Sequence, residues 1–221
     1  MCPFMFNFIL LQDVILLLLG LSTPSAFDLF FHPFFKGIMK FRTLAQELKW
    51  DESDPLDFRD IRRILDNRGG KAHGLRAGYV DLESVKGDYT EKRFLPAGHN
   101  SCCILLTAHL GGKIQRHWVS LIRNGKGTWF FDSLALGAPM LTRILGDKGK
   151  FVSFLKKIGA KMNSKKVQAS HKLIRTCGLH TAVRVFCWQM SNHEYLQYLL
   201  SMTNCLNPDK LVALLTIIGH L

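Results

Sequence analysis

The chain has 221 residues, 48% of them hydrophobic, and is therefore long and apolar enough to bury the core of one ordinary domain. Its formal net charge of +12 at pH 7 predicts attraction to polyanions such as DNA or RNA, although simple solubility explains the same excess equally well. The six cysteines form no CxxC pair, which excludes the common zinc patterns and a secreted disulfide framework and favours a reducing compartment.

The first 38 residues differ in composition from the rest, and we expect the main domain to span residues 39–221. Residues 8–22 are almost wholly apolar but shorter than the roughly 20 residues that a helix needs to cross a bilayer. No lysine or arginine precedes them, which is unusual for a secretory signal. Three interpretations stay open: a signal or membrane anchor, a non-native or dispensable extension, and a packed core helix.

Apolar residues at helical spacing predict two short helices near the start of the main domain. The first covers residues 40–50 and the second residues 56–67, where Gly69 and Gly70 mark the end. Residues 71–98 show weak periodicity and are predicted to be irregular, apart from a possible strand near residues 79–82.

A sheet is predicted in the middle of the chain. Ser101–Thr107 is a short apolar run typical of a buried strand, and His117–Ile122 and Thr128–Asp132 are two more strands around an Asn-Gly turn. Because adjacent strands lie about 4.8 Å apart, His117 and Asp132 should fall nearly opposite each other. The carboxylate of Asp132 would then orient the imidazole of His117. The competing interpretation is two solvated residues at strand ends.

Two short helices are predicted at 140–145 and 151–158, and the basic residues 161–168 lead into an extended segment. Lysines cluster in this part of the chain and form either a solvated face or a nucleic-acid contact. The cluster consists of Lys156, Lys157, Lys161, Lys165, Lys166 and Lys172.

Residues 177–190 carry apolar side chains at the i, i+3, i+4, i+7 spacing of a helix. Cys177 lies in its first turn, where unpaired N–H groups and the helix dipole lower a thiol's pKa and favour the nucleophilic thiolate. Gly178 allows a substrate backbone to approach closely or permits an unusual backbone angle. A buried structural cysteine is the competing interpretation. His180 is too constrained on the same helix to act as the base for Cys177.

Two C-terminal helices have clear start signals. Ser191 and Glu194 form a capping box before the first helix. Asn207 is expected to cap the second helix, with Pro208 at its first position and Gly219 after its end.

In chain order, these elements supply His117, Asp132, Gln168 and Cys177. A cysteine protease needs a thiolate, a base, a group that orients the base and donors for the oxyanion. No metal-binding pattern accompanies these residues.

This set of residues resembles the adenovirus endopeptidase-like cysteine proteases, especially those carried by Polinton/Maverick-type elements and related DNA viruses. The resemblance is carried by His117-Trp118, Asp132-Ser133, Gln168 and Cys177-Gly178, and covers roughly residues 40–218. It is similar, more distantly, to SUMO-specific proteases. The implied fold is α+β and papain-like (adenain-like), with a small central mixed sheet flanked by helices and the nucleophile at the N-terminus of a central helix.

The resemblance implies that Cys177 is the nucleophile, His117 the general base and Asp132 its orienting carboxylate. The backbone N–H of Cys177 and the side chain of Gln168 would form the oxyanion hole. Gln168 precedes Cys177 by nine residues, slightly more than is usual in the family, so either the intervening residues bulge or another group supplies the donor. Trp118, packed beside the catalytic pair, and Gly178 are the expected substrate contacts.

The implied function is a cysteine endopeptidase that cleaves virion precursor proteins through an acyl-thioenzyme, after a small residue such as Gly. No metal or organic cofactor is expected, but DNA would serve as an activating polyanion on the lysine cluster. The implied location is the virion, or the nucleus or cytoplasm of a host cell. Two alternatives stay open: a deSUMOylase or deubiquitinase-type isopeptidase, and a catalytically silent, nucleic-acid-binding virion or structural protein.

Overall fold

The computed structural model describes residues 55–67, 74–110, 112–170, 174–202 and 207–218, and all of them belong to one compact unit. The N-terminal extension, the predicted helix 40–50 and the expected boundary at residue 39 lie outside these residues, as do Lys172 and Gly219. Among the described residues, no helix is long and apolar enough to cross a bilayer.

A five-stranded mixed sheet forms the centre of the described fold. Strands β1 and β2 are parallel, β2, β3 and β4 are antiparallel, and β5 pairs in parallel with β4. In spatial order the strands are β1 (Ala77–Asp81), β2 (Ser101–Leu110), β3 (Lys113–Asn124), β4 (Gly127–Phe131) and β5 (Lys161–Met162).

Helices flank this sheet, so the predicted α+β class with a mixed central sheet is confirmed. The strand predicted near residues 79–82 is present as β1, but the expectation that the rest of residues 71–98 is irregular is wrong in part, since they also contain a short helix. The helices are α1 (Phe58–Asn67), α2 (Glu91–Phe94), α3 (Gly137–Leu145), α4 (Lys150–Lys157), α5 (Cys177–Phe186), α6 (Asn192–Ser201) and α7 (Pro208–Ile218), and a 3-10 turn covers Glu83–Val85.

The two faces of the sheet bury different layers, because successive side chains of a strand point to opposite faces. Val119 and Leu121 of β3 belong to one hydrophobic cluster with Phe151 of α4 and Leu141 of α3. Helix α5 contacts β3 and β2, and it also contacts α1 and α7. Residues 178–185 of α5 are consequently all buried, including the polar ones.

Helix α5 ends at Phe186 and not at residue 190 as the apolar spacing predicts. The guanidinium of Arg184, which is fully buried, donates to the carbonyl oxygens of Cys187 at 3.0 Å and Met190 at 2.9 Å. These bonds stabilise a turn after Phe186 in place of another helical turn. Burial lowers the pKa of Arg184 to about 10, but the group remains charged at neutral pH.

Asn192 joins this turn to the sheet. Its side-chain oxygen accepts from the guanidinium of Arg184 at 3.3 Å, and its amide nitrogen donates to the carbonyls of Phe130 at 2.9 Å and Lys161 at 3.1 Å. A single buried amide thus links α5, β4 and β5, and its hydrogen bonds are made in a dry environment where losing them is costly.

We expect Asn192→Ala to lower the free energy of unfolding by about 2–3 kcal/mol, because it leaves the buried Arg184 guanidinium without one of its acceptors. Urea denaturation of the full chain measures this. The matched control is His193→Ala, an exposed position on the same helix that should change the free energy by less than about 0.5 kcal/mol. Equal effects of the two variants would contradict the role given to Asn192.

Candidate active site

His117 and Asp132 meet at one edge of the hairpin formed by β3 and β4. The Nε2 atom of His117 lies 2.7 Å from Oδ1 of Asp132, so the contact that the hairpin predicts is present. Ser120 pairs with Phe131, the last residue of β4, so Asp132 follows the sheet directly and reaches His117 diagonally across the ladder. The predicted register was therefore close but not identical to the observed one.

Backbone groups and an asparagine hold Asp132 in place. Its carboxylate accepts from the N–H groups of Leu134 at 2.8 Å and Leu136 at 3.0 Å. Asn163 accepts from the Asp132 N–H at 2.8 Å and donates to the Asp132 carbonyl at 2.7 Å. Burial alone would raise the pKa of Asp132, but the bond from His117 and these N–H groups lower it, so Asp132 is a buried carboxylate.

Cys177 is the first residue of α5 and is partly exposed. Its thiol lies beside the imidazole of His117, and because Nε2 is bonded to Asp132, the ring nitrogen left for the thiol is Nδ1. Burial opposes ionisation of the thiol, but His117 and the N–H groups of Trp118 and Gly178 outweigh it and lower the pKa of Cys177. The environment is that of a nucleophilic thiolate.

The pKa of the His117 imidazole shifts in the opposite direction to that of the thiol. Burial disfavours its charged form, yet the hydrogen bonds to Asp132 and Cys177 and their charges raise the pKa of His117 to about 10. A raised pKa on the imidazole and a lowered pKa on the thiol describe one event, the transfer of a proton from Cys177 to His117. Both shifts favour an imidazolium between a thiolate and a carboxylate over the neutral pair.

Gln168, the predicted oxyanion donor, is buried and hydrogen-bonded to Ser133, the residue after Asp132. The hydroxyl of Ser133 donates to Gln168 Oε1 at 2.7 Å, and the N–H of Gln168 donates to the Ser133 carbonyl at 3.0 Å. Because the amide oxygen is occupied by Ser133, the amide NH2 is the end left to donate elsewhere. The role of this NH2 as an oxyanion donor stays a prediction.

Trp118 and Gly178 contact another part of this chain. The indole Nε1 of Trp118 donates to the Leu56 carbonyl at 2.8 Å, and the Phe58 ring lies edge-on at 4.7 Å between centroids. A Cβ added to Gly178 would lie 2.9 Å from the Cβ of Leu56. Gly178 is therefore needed for close approach of Leu56, and it does not adopt the unusual backbone angle considered as an alternative. Substrate contact by these two residues stays a prediction.

His180 has a partner of its own on α7. Its Nε2 lies 3.1 Å from Oδ1 of Asp209, and both residues are buried. His180 is thus held away from the role of base for Cys177, as the sequence indicates. The residues that sequence analysis did not assign are Asp209, Asn163 and Leu56, since each comes from a distant part of the chain and matches no motif.

The five described lysines of the basic cluster are all exposed. Lys161 lies over the Trp129 ring at 5.4 Å, and Lys166 contacts the Ser170 hydroxyl. Among the described residues, no group of three or more His, Cys, Asp or Glu side chains is placed to hold a metal ion. The four described cysteines are not in disulfides.

No family model matches the chain, and no curated protein matches it. Among solved structures, the chain is similar to SUMO protease Ulp1 with the catalytic cysteine oxidized to a sulfinic acid. The likeness covers 83% of this chain and 98% of that chain, with 12% sequence identity and a TM-score of 0.30. This is a coarse likeness to a cysteine protease, and the chemistry of the site rests on its own geometry.

We expect iodoacetamide to alkylate Cys177 faster at about pH 7 than it alkylates an ordinary thiol, because its lowered pKa populates the thiolate below the ordinary thiol value of about 8.5. In His117→Ala, the main interaction that opposes burial is lost, the pKa of Cys177 rises, and the rate near neutral pH should fall about tenfold or more. Peptide mapping by mass spectrometry isolates the Cys177 signal.

Two internal controls accompany this measurement. Cys102 and Cys103 are buried with raised pKa values and should react slowly in every variant. His109→Ala removes an exposed histidine of β2 and should leave the rate at Cys177 unchanged. A slow rate in the wild type that His117→Ala does not alter would mean an ordinary thiol.

Proposed function

We propose that this protein is a cysteine endopeptidase in which Cys177, His117 and Asp132 are the catalytic residues. The observation that carries the proposal is the imidazole of His117, 2.7 Å from a buried carboxylate on one side and beside the thiol at the start of α5 on the other. A hydroxyl or thiol nucleophile with a base that a third group orients is the arrangement of covalent acyl-transfer enzymes.

In the proposed reaction, the Cys177 thiolate attacks the scissile carbonyl carbon and the carbonyl oxygen becomes an oxyanion. The Cys177 N–H, at the open end of α5, and the amide NH2 of Gln168 donate to that oxyanion. As the C–N bond breaks, the His117 imidazolium gives its proton to the leaving amine, which leaves a thioester on Cys177. His117, now neutral, takes a proton from water as the water attacks the thioester, and the acid product and thiolate are released.

Asp132 acts on His117 and not on the substrate. Its charge and its hydrogen bond hold the ring with Nδ1 toward Cys177 and stabilise the imidazolium. The substrates proposed are virion precursor proteins in the particle or in the nucleus or cytoplasm of a host cell. The support for that class is the sequence resemblance to virally encoded proteases, and an isopeptidase acting on a SUMO or ubiquitin conjugate is the alternative to test beside it.

We expect the full chain to cleave peptides from a mixed peptide library, with mass spectrometry reporting the residue before each cut. Cys177→Ser and His117→Ala should abolish cleavage, and Asp132→Asn should lower kcat by about 10³–10⁴-fold because the imidazole loses its orienting charge. Asp88→Asn, an exposed carboxylate, is the matched control. Release of a fluorophore from SUMO or ubiquitin C-terminal conjugates, with no cleavage of library peptides, would favour the isopeptidase.

DNA is the proposed activating polyanion, and the support is the row of exposed lysines at the end of α4 and along the segment leading to Gln168. At low salt, double-stranded DNA should bind and raise the cleavage rate, and both effects should weaken steeply as salt rises. Replacing Lys156, Lys157 and Lys165 by Gln should weaken binding and reduce the salt slope by about three. If DNA at low salt neither binds the protein nor changes the cleavage rate, the proposal of DNA as a partner is wrong.

A further inference from the structure

Asp209, the second residue of α7, is buried and accepts hydrogen bonds from three groups. Its Oδ2 accepts from the backbone N–H of Ala169 at 2.9 Å, and its Oδ1 accepts from the Thr176 hydroxyl and from His180 Nε2 at 3.1 Å. Ala169 and Thr176 are the first and last residues of the segment that separates Gln168 from Cys177. One carboxylate therefore joins Ala169 and Thr176.

The two residues next to these donors are the ones that the proposed reaction needs. Gln168 precedes Ala169 and carries the proposed oxyanion donor, and Cys177 follows Thr176 and carries the thiolate. The Asp209 carboxylate is thus bonded both to the residue after Gln168 and to the residue before Cys177. Their relative position depends on a residue of the last described helix.

Helix capping does not explain why the Asp209 carboxylate is buried. The N-cap of α7 is Asn207, whose side-chain oxygen accepts from the N–H of Lys210 at 2.8 Å. An acidic residue in the first turn is favourable for a helix in general, but an exposed side chain is sufficient for that purpose. The carboxylate of Asp209 is instead 2% exposed and directed at residues 169, 176 and 180.

The protonation states of Asp209 and His180 favour strong hydrogen bonds to the Asp209 carboxylate. Burial alone would raise the pKa of Asp209, but the bonds from His180, Thr176 and the Ala169 N–H lower it, so the carboxylate is ionised. Burial lowers the pKa of His180 and outweighs the opposing effect of Asp209, and the nearby His117 charge lowers it further. His180 is then neutral at neutral pH and donates from Nε2. Hydrogen bonds to an ionised acceptor are about twice as strong as neutral ones.

We propose that Asp209 is a positioning residue that sets the oxyanion donor of Gln168 against the thiolate of Cys177, through Ala169 and Thr176. It touches neither substrate nor reacting atoms. The inference rests on the proposed function, because it assigns Asp209 a part in stabilising an oxyanion. A positioning role differs from a purely structural role in one measurable way. Loss of Asp209 should weaken stabilisation of the oxyanion more than it lowers the reactivity of the thiolate.

Two reagents separate those effects in the full chain. Iodoacetamide reports the thiolate alone, since the sulfur–carbon bond forms as iodide leaves and no oxyanion develops. A peptide ending in glycinal forms a hemithioacetal with Cys177, in which the former aldehyde oxygen takes the place of the oxyanion. Removal of one oxyanion donor costs about 10²–10³-fold in known enzymes, and a displaced donor should cost part of that.

In Asp209→Asn, the amide cannot accept from both Ala169 and Thr176 in the way the carboxylate does. We expect its affinity for the glycinal peptide to fall about tenfold or more, while the alkylation rate of Cys177 stays within about threefold of wild type. Circular dichroism checks that the variant is folded. Lys210→Ala, the exposed next residue of α7, should match the wild type with both reagents.

Equal losses with both reagents in a folded Asp209→Asn variant, or no loss with either, would overturn the inference while leaving the proposed function intact. A wild type whose Cys177 reacts with neither reagent would overturn the proposed function and the inference together. If Asp209→Asn does not fold, Thr176→Val removes a single donor at similar volume. It should weaken glycinal binding about threefold or more, and Thr176→Ser should restore it; equal binding by the two Thr176 variants overturns the inference.

Discussion

The interaction between His117 and Cys177 is the one on which the candidate site depends, because each group favours the charged form of the other. Burial disfavours the thiolate and the imidazolium, and each is retained because the other lies beside it. Asp132 shifts the balance by adding a second negative charge at 2.7 Å from the ring. The rest of the structure keeps these three groups in contact and excludes water from most of their surface.

Two buried carboxylates position different groups of the candidate site. Asp132 sits directly after β4 and is held by the amide of Asn163 and two backbone N–H groups, so the base is fixed to the sheet. Asp209 lies in the first turn of α7 and binds the residue after Gln168 and the residue before Cys177. The base thus depends on the sheet, and the nucleophile and proposed oxyanion donor depend on the packing of α7 against α5.

The start of α5 is also constrained from the N-terminal side of the described domain. Leu56 lies so close to Gly178 that no side chain fits there, and its carbonyl holds the indole of Trp118. The N–H groups of Trp118 and Gly178 both stabilise the thiolate. Packing of the segment before α1 therefore acts on the electrostatics of Cys177 through two backbone donors.

The sequence by itself determined the elements that depend on neighbouring residues. The turn at Asn124 specifies the hairpin, so His117 and Asp132 could be paired from sequence, and the capping box at Ser191 begins α6 where it was expected. Only the tertiary structure decided where α5 ends and what Asp209 binds. Those outcomes depend on burial of α5 between the sheet, α1 and α7, because a buried polar group takes whatever partner packing brings to it.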